Sequence, residues 1–241
     1  MGGRGGASGF PTNNPVLTTL DAPDGTSIDL SDFPLQYGPL DTLSNAERAA
    51  VDAFESKRYK AKVEYGTLIT VNGQTLIEKR GGTGSVRMPS RLYNQASVMS
   101  HNHPRSGNEV GELGGTFSHA DLRALATTGI YTMRATALEG TYSMTKGGNF
   151  DWNGLSQYYK TTDAGLDRAY QAAIKPALAS YKSAVADYAQ GRATRATAQA
   201  AYDAYVKTAH YEFNRYMVGL HNALLAGQQQ YGYSYTLERR S

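Results

Sequence analysis

The order of apolar and polar positions divides the chain into a strand-rich front and a helix-rich rear. From Tyr65 to Val71 and from Gln74 to Glu78, β-prone residues run on either side of Asn72-Gly73. Asn-Gly between two such runs is the strongest short signal for a hairpin. Both runs are apolar at their centres on either face, which predicts a sheet covered on both sides. Ala96 to Ser100 reads as a short buried strand, and Ile130 to Leu138 with Thr141 to Thr145 flank Glu139-Gly140 as a second hairpin. Two helix starts carry capping boxes, Ser44-Asn45-Ala46-Glu47 and Ser118-His119-Ala120-Asp121, in which a hydroxyl and a carboxylate three residues on satisfy orphan amides. The first helix is expected to reach about Lys60 and the second to end at Gly129, giving the order α-β-β-β-α-β-β.

Beyond about residue 150 the composition shifts toward Ala, Tyr, Gln and Lys, and the period becomes helical. A helix is predicted from Asp163 to about Gln190, with a kink or restart at Pro176, because proline lacks a donor and clashes with the preceding turn. From Ala193 to Ala226 the residues Tyr202, Tyr205, Ala209, Phe213, Tyr216, Leu220 and Leu224 make one apolar stripe. Two such helices joined near Gly191 predict an antiparallel hairpin. Tyr231 to Leu237 alternates like an edge strand able to rejoin the sheet. Residues 1 to about 40, rich in Gly, Pro, Asn and Asp, read as a tail or linker. The expected division is therefore a tail (1–40), an α+β core with a mixed sheet between helices (41–150), and a helical hairpin with a terminal strand (151–241).

Composition narrows the chemistry. With 241 residues and 40% hydrophobic content the chain can bury a real core. Its 24 basic and 21 acidic residues leave +3, too slight an excess to argue for nucleic acid or a membrane surface. The opening MGGRGGASGFPTNNP has no apolar core like that of a signal peptide, and no apolar run approaches the ~18 residues of a membrane span, so a cytoplasmic place is expected. The absence of cysteine excludes disulfides, thiol nucleophiles and thiolate metal sites, leaving His, Asp and Glu as metal ligands. The loop Gly81-Gly82-Thr83-Gly84-Ser85 lacks the lysine and spacing of a phosphate-binding loop.

Five histidines are present, and two of them, His101 and His103, stand two apart at the end of a predicted strand, so both imidazoles project from one face. An isolated H-x-H pair has an ordinary packing explanation. Ser118 and Asp121 are equally explained as a helix cap, with Phe117 and Leu122 at the spacing of a hydrophobic staple. A helix start fixed that firmly is also a rigid place from which to aim a carboxylate at a metal. His119 at the first helical position reads as a surface residue, and His210 and His221 on the long helix as packing or solvent residues.

Taken together, Glu64, His101-Asn102-His103-Pro104 and Ser118-His119-Ala120-Asp121 resemble the E…H-x-H-P…S-x-x-D motif of the JAMM (JAB, MPN+) zinc metallopeptidases, and the HNHP wording resembles the RadC-like branch. The resemblance covers roughly residues 45 to 146 and implies a cytidine-deaminase-like α/β/α sandwich. It implies that His101, His103 and Asp121 bind Zn²⁺ beside a water, that Glu64 is the general base and acid, and that Ser118 stabilises the oxyanion. The implied substrate is a polypeptide or a protein conjugate. Glu78 is the rival base on the same hairpin. If Asn72-Gly73 is a two-residue turn, Glu78 opposes Thr67 on the face of Tyr65 and Ile69, and Glu64 shares the other face with Leu68 and Ile77. The segment between Pro104 and Ser118 is longer than the family spacing, carries Glu109 and Glu112, and is expected to form a mobile flap on Gly107, Gly111, Gly114 and Gly115.

In composition, the Gly-rich opening and the closing YGYSY resemble phage-encoded members of the family, which would place the chain in a host cytoplasm or a virion. The 18 tyrosines suit both a core and an interface, so the C-terminal helices are a candidate contact for a homo-oligomer or a phage particle. Two other functions fit parts of the pattern. One is a metal-free JAMM-like structural or binding module, against which the intact motif positions argue. The other is a DNA-associated role, traditional for the RadC name, which the composition does not support.

Overall fold

The computed structural model describes residues 14–21, 25, 27–104 and 111–239. Four short strands come first: β1 (Val16–Leu17) pairs with β4 (Leu35–Gln36), and β2 (Thr19–Asp21) pairs with β3 (Ser27–Asp29), both antiparallel. This corrects the reading of the front segment as a tail, as far as it is described. Ile28, Leu30, Leu35 and Tyr37 are buried in the main core. Gly38 N donates to Leu237 O, and the Tyr37 hydroxyl donates to Glu139 O. Average composition missed this because a few well-spaced apolar residues are enough to dock a strand-like segment on an existing core. Residues 1–13, 22–24 and 26 of the predicted tail lie outside the described residues.

Helix α1 (Asn45–Arg58) starts at the expected cap: Ser44 Oγ accepts from Glu47 N, and Glu47 Oε2 accepts from Ser44 N. A six-stranded mixed sheet follows, made of β5 (Tyr65–Ile69), β6 (Thr75–Arg80), β7 (Val98–Asn102), β8 (Thr132–Thr136), β9 (Thr141–Lys146) and β10 (Tyr233–Glu238). Its order is β10-β9-β8-β7-β5-β6, and only β7 with β8 is parallel. Helix α2 (His119–Thr127) connects that parallel pair. A 3₁₀ turn over Ser90–Gln95, not foreseen in the sequence, leads into β7. The terminal strand does rejoin the sheet as its edge, against β9.

The β5–β6 turn differs from expectation in an instructive way. Gly73 N donates to Thr70 O, Thr70 N donates to Gln74 O, and Gly73 adopts φ +77, so the loop has three residues, Val71 to Gly73. A register shift between Leu68 and Ile69 absorbs the odd residue, and Thr67 still faces Glu78 as Leu68 faces Ile77.

Strand alternation assigns the two faces of the sheet. Val98 with Val51 and Ile69 lies under α1, while Met99, Met133, Met144 and Leu68 join Leu122 and Leu125 of α2 in the main core. Helices α3 (Trp152–Ala189) and α4 (Arg195–Tyr231) form the predicted hairpin, but α3 begins eleven residues before the expected Asp163, capped by Asp151, and passes Pro176 without a restart. Leu155, Tyr159, Val218, Leu220 and Leu224 lie in the same core cluster as Met99, so the hairpin shares the core instead of forming a separate unit. Among the described residues no helix is long and apolar enough to cross a membrane.

On α4, His221 is fully buried, with Nδ1 2.9 Å from the Tyr235 hydroxyl and Nε2 without a hydrogen-bond partner. Burial holds its pKa down to about 4. The unfolded chain therefore takes up a proton near pH 6.5 that the folded chain refuses. The stability His221 leaves intact above pH 6.5 is lost progressively as pH falls toward 4, by up to about 3 kcal/mol. Urea unfolding of wild type and His221→Gln at pH 7 and pH 4.5 checks this: the wild type is expected to lose more stability than the variant, and parallel losses would contradict it.

Candidate metal centre

The site is built where β7 ends and α2 begins, at the carboxyl end of a parallel strand. The alternation of β7 turns Ser100 and Asn102 toward α1 and His101 toward α2, and His103 follows on the same side, its backbone N held by Thr136 O at 2.9 Å. Helix α2 is aimed by its cap. Ser118 Oγ accepts from Asp121 N and donates to Asp121 Oδ2, which also accepts from Ser118 N at 2.8 Å. Phe117 and Leu122, the staple pair, are both buried in the core. The cap thus occupies one carboxylate oxygen of Asp121 and leaves Oδ1 pointing at His101 Nε2, 3.5 Å away.

His101, His103 and Asp121 each offer one ligand atom, and these atoms lie within 4.8 Å of one another; among the described residues no other group of this kind occurs. The two Nε2 atoms are 3.1 Å apart. His103 Nδ1 is 3.1 Å from Gly114 O and 2.9 Å from Gly115 O, so it must donate, and its Nε2 presents a lone pair to the cluster. His101 is buried, and its Nδ1 has no hydrogen-bond partner. Two imidazole nitrogens and one carboxylate oxygen facing inward suit a divalent metal, and a set of three leaves the fourth tetrahedral position open. The group can therefore hold a metal ion.

Electrostatics mark the same place. Burial opposes charge on Asp121, yet His101, His103 and the Ser118 hydroxyl hold its carboxyl well below the usual range. Burial also works against a charged His101, and Asp121 and Glu64 outweigh it, so its pKa is raised, whereas burial and then His101 lower that of His103. With the two Nε2 atoms 3.1 Å apart, no more than one of them carries a proton.

Glu64 stands just before β5, buried, on the face of Gly66, which pairs with His101. Burial raises its carboxyl above the ordinary range, and the charge of Asp121 adds to this against the pull of His101 and the Val86 N–H. It lies close enough to feel the cluster yet is not one of the converging ligands. Glu78 is on the opposite face, paired with Arg58 of α1. Parity therefore separates the two candidate bases as the sequence argument required.

Several assignments change. Residues 111–117 are not a free flap: Leu113 N donates to Asn214 Oδ1, Asn214 Nδ2 donates to Gly111 O, and the Gly114 and Gly115 amides donate to Glu139. Gly107 and Glu109 lie outside the described residues. Glu112 is beside His210, 3.7 Å away, and takes no part in the cluster. His119 is half-buried at the surface, as read from its position, and is held there by Ser156 Oγ at 2.9 Å and by Trp152, against which its ring is tilted.

Asn102, which the sequence pattern gives no role, is a structural part of the site. Its Oδ1 accepts from Tyr65 N at 2.7 Å and its Nδ2 donates to Val63 O at 3.2 Å, so it pins the backbone on either side of Glu64. An asparagine between two inward histidines was the available signal, since parity sends it to the other face. Comparison of the chain with protein-family models, with curated proteins and with solved structures gives no match.

Proposed function

We propose that the chain is a zinc-dependent hydrolase of peptide or isopeptide bonds, of the JAMM type and nearest the RadC-like branch. The observation that supports this reading is the convergence of His101, His103 and Asp121 with Glu64 buried beside them but outside the ligand set. That is the division of labour a metallohydrolase needs: three neutral or anionic ligands hold the ion, and a separate carboxylate moves protons. A divalent ion so held would lower the pKa of water toward ~7 and polarise a scissile carbonyl. Glu64, with its carboxyl raised, accepts a proton from the attacking water and returns it to the leaving amine. Asn102 keeps Glu64 in register through Val63 and Tyr65. Ser118 fixes Asp121, and for the same hydroxyl to serve the oxyanion its proton must leave Asp121 Oδ2.

The substrate class follows from the reaction: an amide in an extended polypeptide or in a lysine-linked protein conjugate. A cleavage screen of both classes tests the proposal. Hydrolysis should disappear on chelation and return with Zn²⁺. Hydrolysis indifferent to chelator, or none on either class with metal-loaded protein, would contradict it.

A further inference from the structure

Among the buried carboxylates that the metal reading does not use, Glu139 is the one that contacts the segment holding His103. Glu139 sits in the turn between β8 and β9, a position usually open to water, yet it is only 2% exposed. Its Oε1 accepts from Gly115 N at 2.8 Å and from the Tyr142 hydroxyl at 3.0 Å, and its Oε2 accepts from Gly114 N at 3.2 Å. The Gly115 N–H and the Gly114 carbonyl belong to one peptide group, and that carbonyl, at 3.1 Å, shares the His103 Nδ1 proton with Gly115 O at 2.9 Å. A carboxylate, an amide and an imidazole are thus joined in line, ending at the His103 nitrogen that faces Asp121 and His101.

We propose that Glu139 is a positioning residue of the metal site, acting on His103 through the Gly114–Gly115 peptide. The inference rests on the reading of His103 as a ligand. A carboxylate bound to the N–H side of an amide makes its carbonyl a stronger acceptor, because hydrogen bonds in series polarise one another. The stronger acceptor fixes the His103 tautomer and makes Nε2 a better donor to a metal, as a carboxylate bonded directly to the imidazole does.

Packing keeps this peptide in place. A Cβ on Gly114 would stand 2.5 Å from Ala137 Cβ, and one on Gly115, at φ +78, would stand 2.5 Å from Met217 Sδ. Only glycines fit the slot between the end of β8 and helix α4. The Gly-Gly pair therefore serves close approach here, where the sequence suggested mobility.

Metal affinity of the full-length protein is the test, measured by titrating metal-free samples with Co²⁺ and Zn²⁺ against a competing chelator. Glu139→Gln keeps the shape and removes the charge, and should bind about 10- to 100-fold more weakly, with a changed Co²⁺ absorption spectrum. Tyr142→Phe removes one bond to Glu139 and should weaken binding less. A folded Glu139→Gln with wild-type affinity and spectrum would overturn the proposal. If that variant does not fold, Tyr142→Phe decides, and unchanged affinity there overturns it. His103→Ala identifies the site, and wild type that binds no metal through His103 would sink the metal reading itself, a distinguishable result.

Discussion

Glu64→Gln is expected to lower turnover by about 10²- to 10⁴-fold, the usual contribution of a positioned general acid and base, while metal content stays at the wild-type level. The amide preserves the volume of the side chain but cannot accept the proton of an attacking water. Metal is retained because the converging atoms belong to His101, His103 and Asp121 alone. Glu78→Gln provides the control, because Glu78 faces α1 and pairs with Arg58 on the far side of the sheet. Its turnover should match wild type. Steady-state kinetics with metal analysis of both variants checks the assignment. Full turnover in Glu64→Gln would reassign the base.

Arg134→Met is expected to destabilise the fold by about 3–5 kcal/mol, or to prevent folding, because it strands buried charges. Arg134 is 1% exposed and lies under α1. Its Nε donates to Glu55 at 2.8 Å, its Nη2 donates to Glu55 at 3.1 Å and to Glu238 at 2.9 Å, and its Nη1 pairs with Asp41. Arg48 is a second cation beside Asp41 and Glu238 but does not reach Glu55. Ser100 and Thr141 also donate to Glu55. The cluster thereby ties α1, four strands (β7 to β10) and the segment before α1 together. Removing the guanidinium leaves three carboxylates with one cation in a low-dielectric layer. Urea denaturation measures the change, and a loss under about 1 kcal/mol, the worth of an exposed pair, would show that the cluster is solvated.

The capping boxes at Ser44 and Ser118 placed two helix starts, because those hydrogen bonds are local. The face parity of Glu64 and Glu78 also emerged correctly, although the turn was misjudged by one residue and a bulge made good the difference. By contrast, Thr132-Met-Arg-Ala-Thr136 alternates as if one face met water, yet that polar face is buried under α1 and filled by the Arg134 cluster. Alternation reports a difference between faces and does not say that the polar one is wet. Glu139 and Asn214 were invisible as site residues because their partners are backbone groups, 24 and 101 positions away. Nothing in a local pattern encodes such a contact. The His101, His103 and Asp121 group was legible only through the resemblance of the whole motif: strand alternation set the two imidazoles on one face and the cap fixed the start of α2, but neither local pattern brings the aspartate to the histidines.

His101, His103 and Asp121 are expected to hold one divalent ion. Elemental analysis of wild type purified without added metal, set beside His103→Ala, tests it most directly. Close to one zinc per chain is expected in wild type and almost none in the variant, with both proteins folded. Metal-free wild type that also fails to take up Zn²⁺ on titration, or a His103→Ala variant that retains the ion, would contradict it.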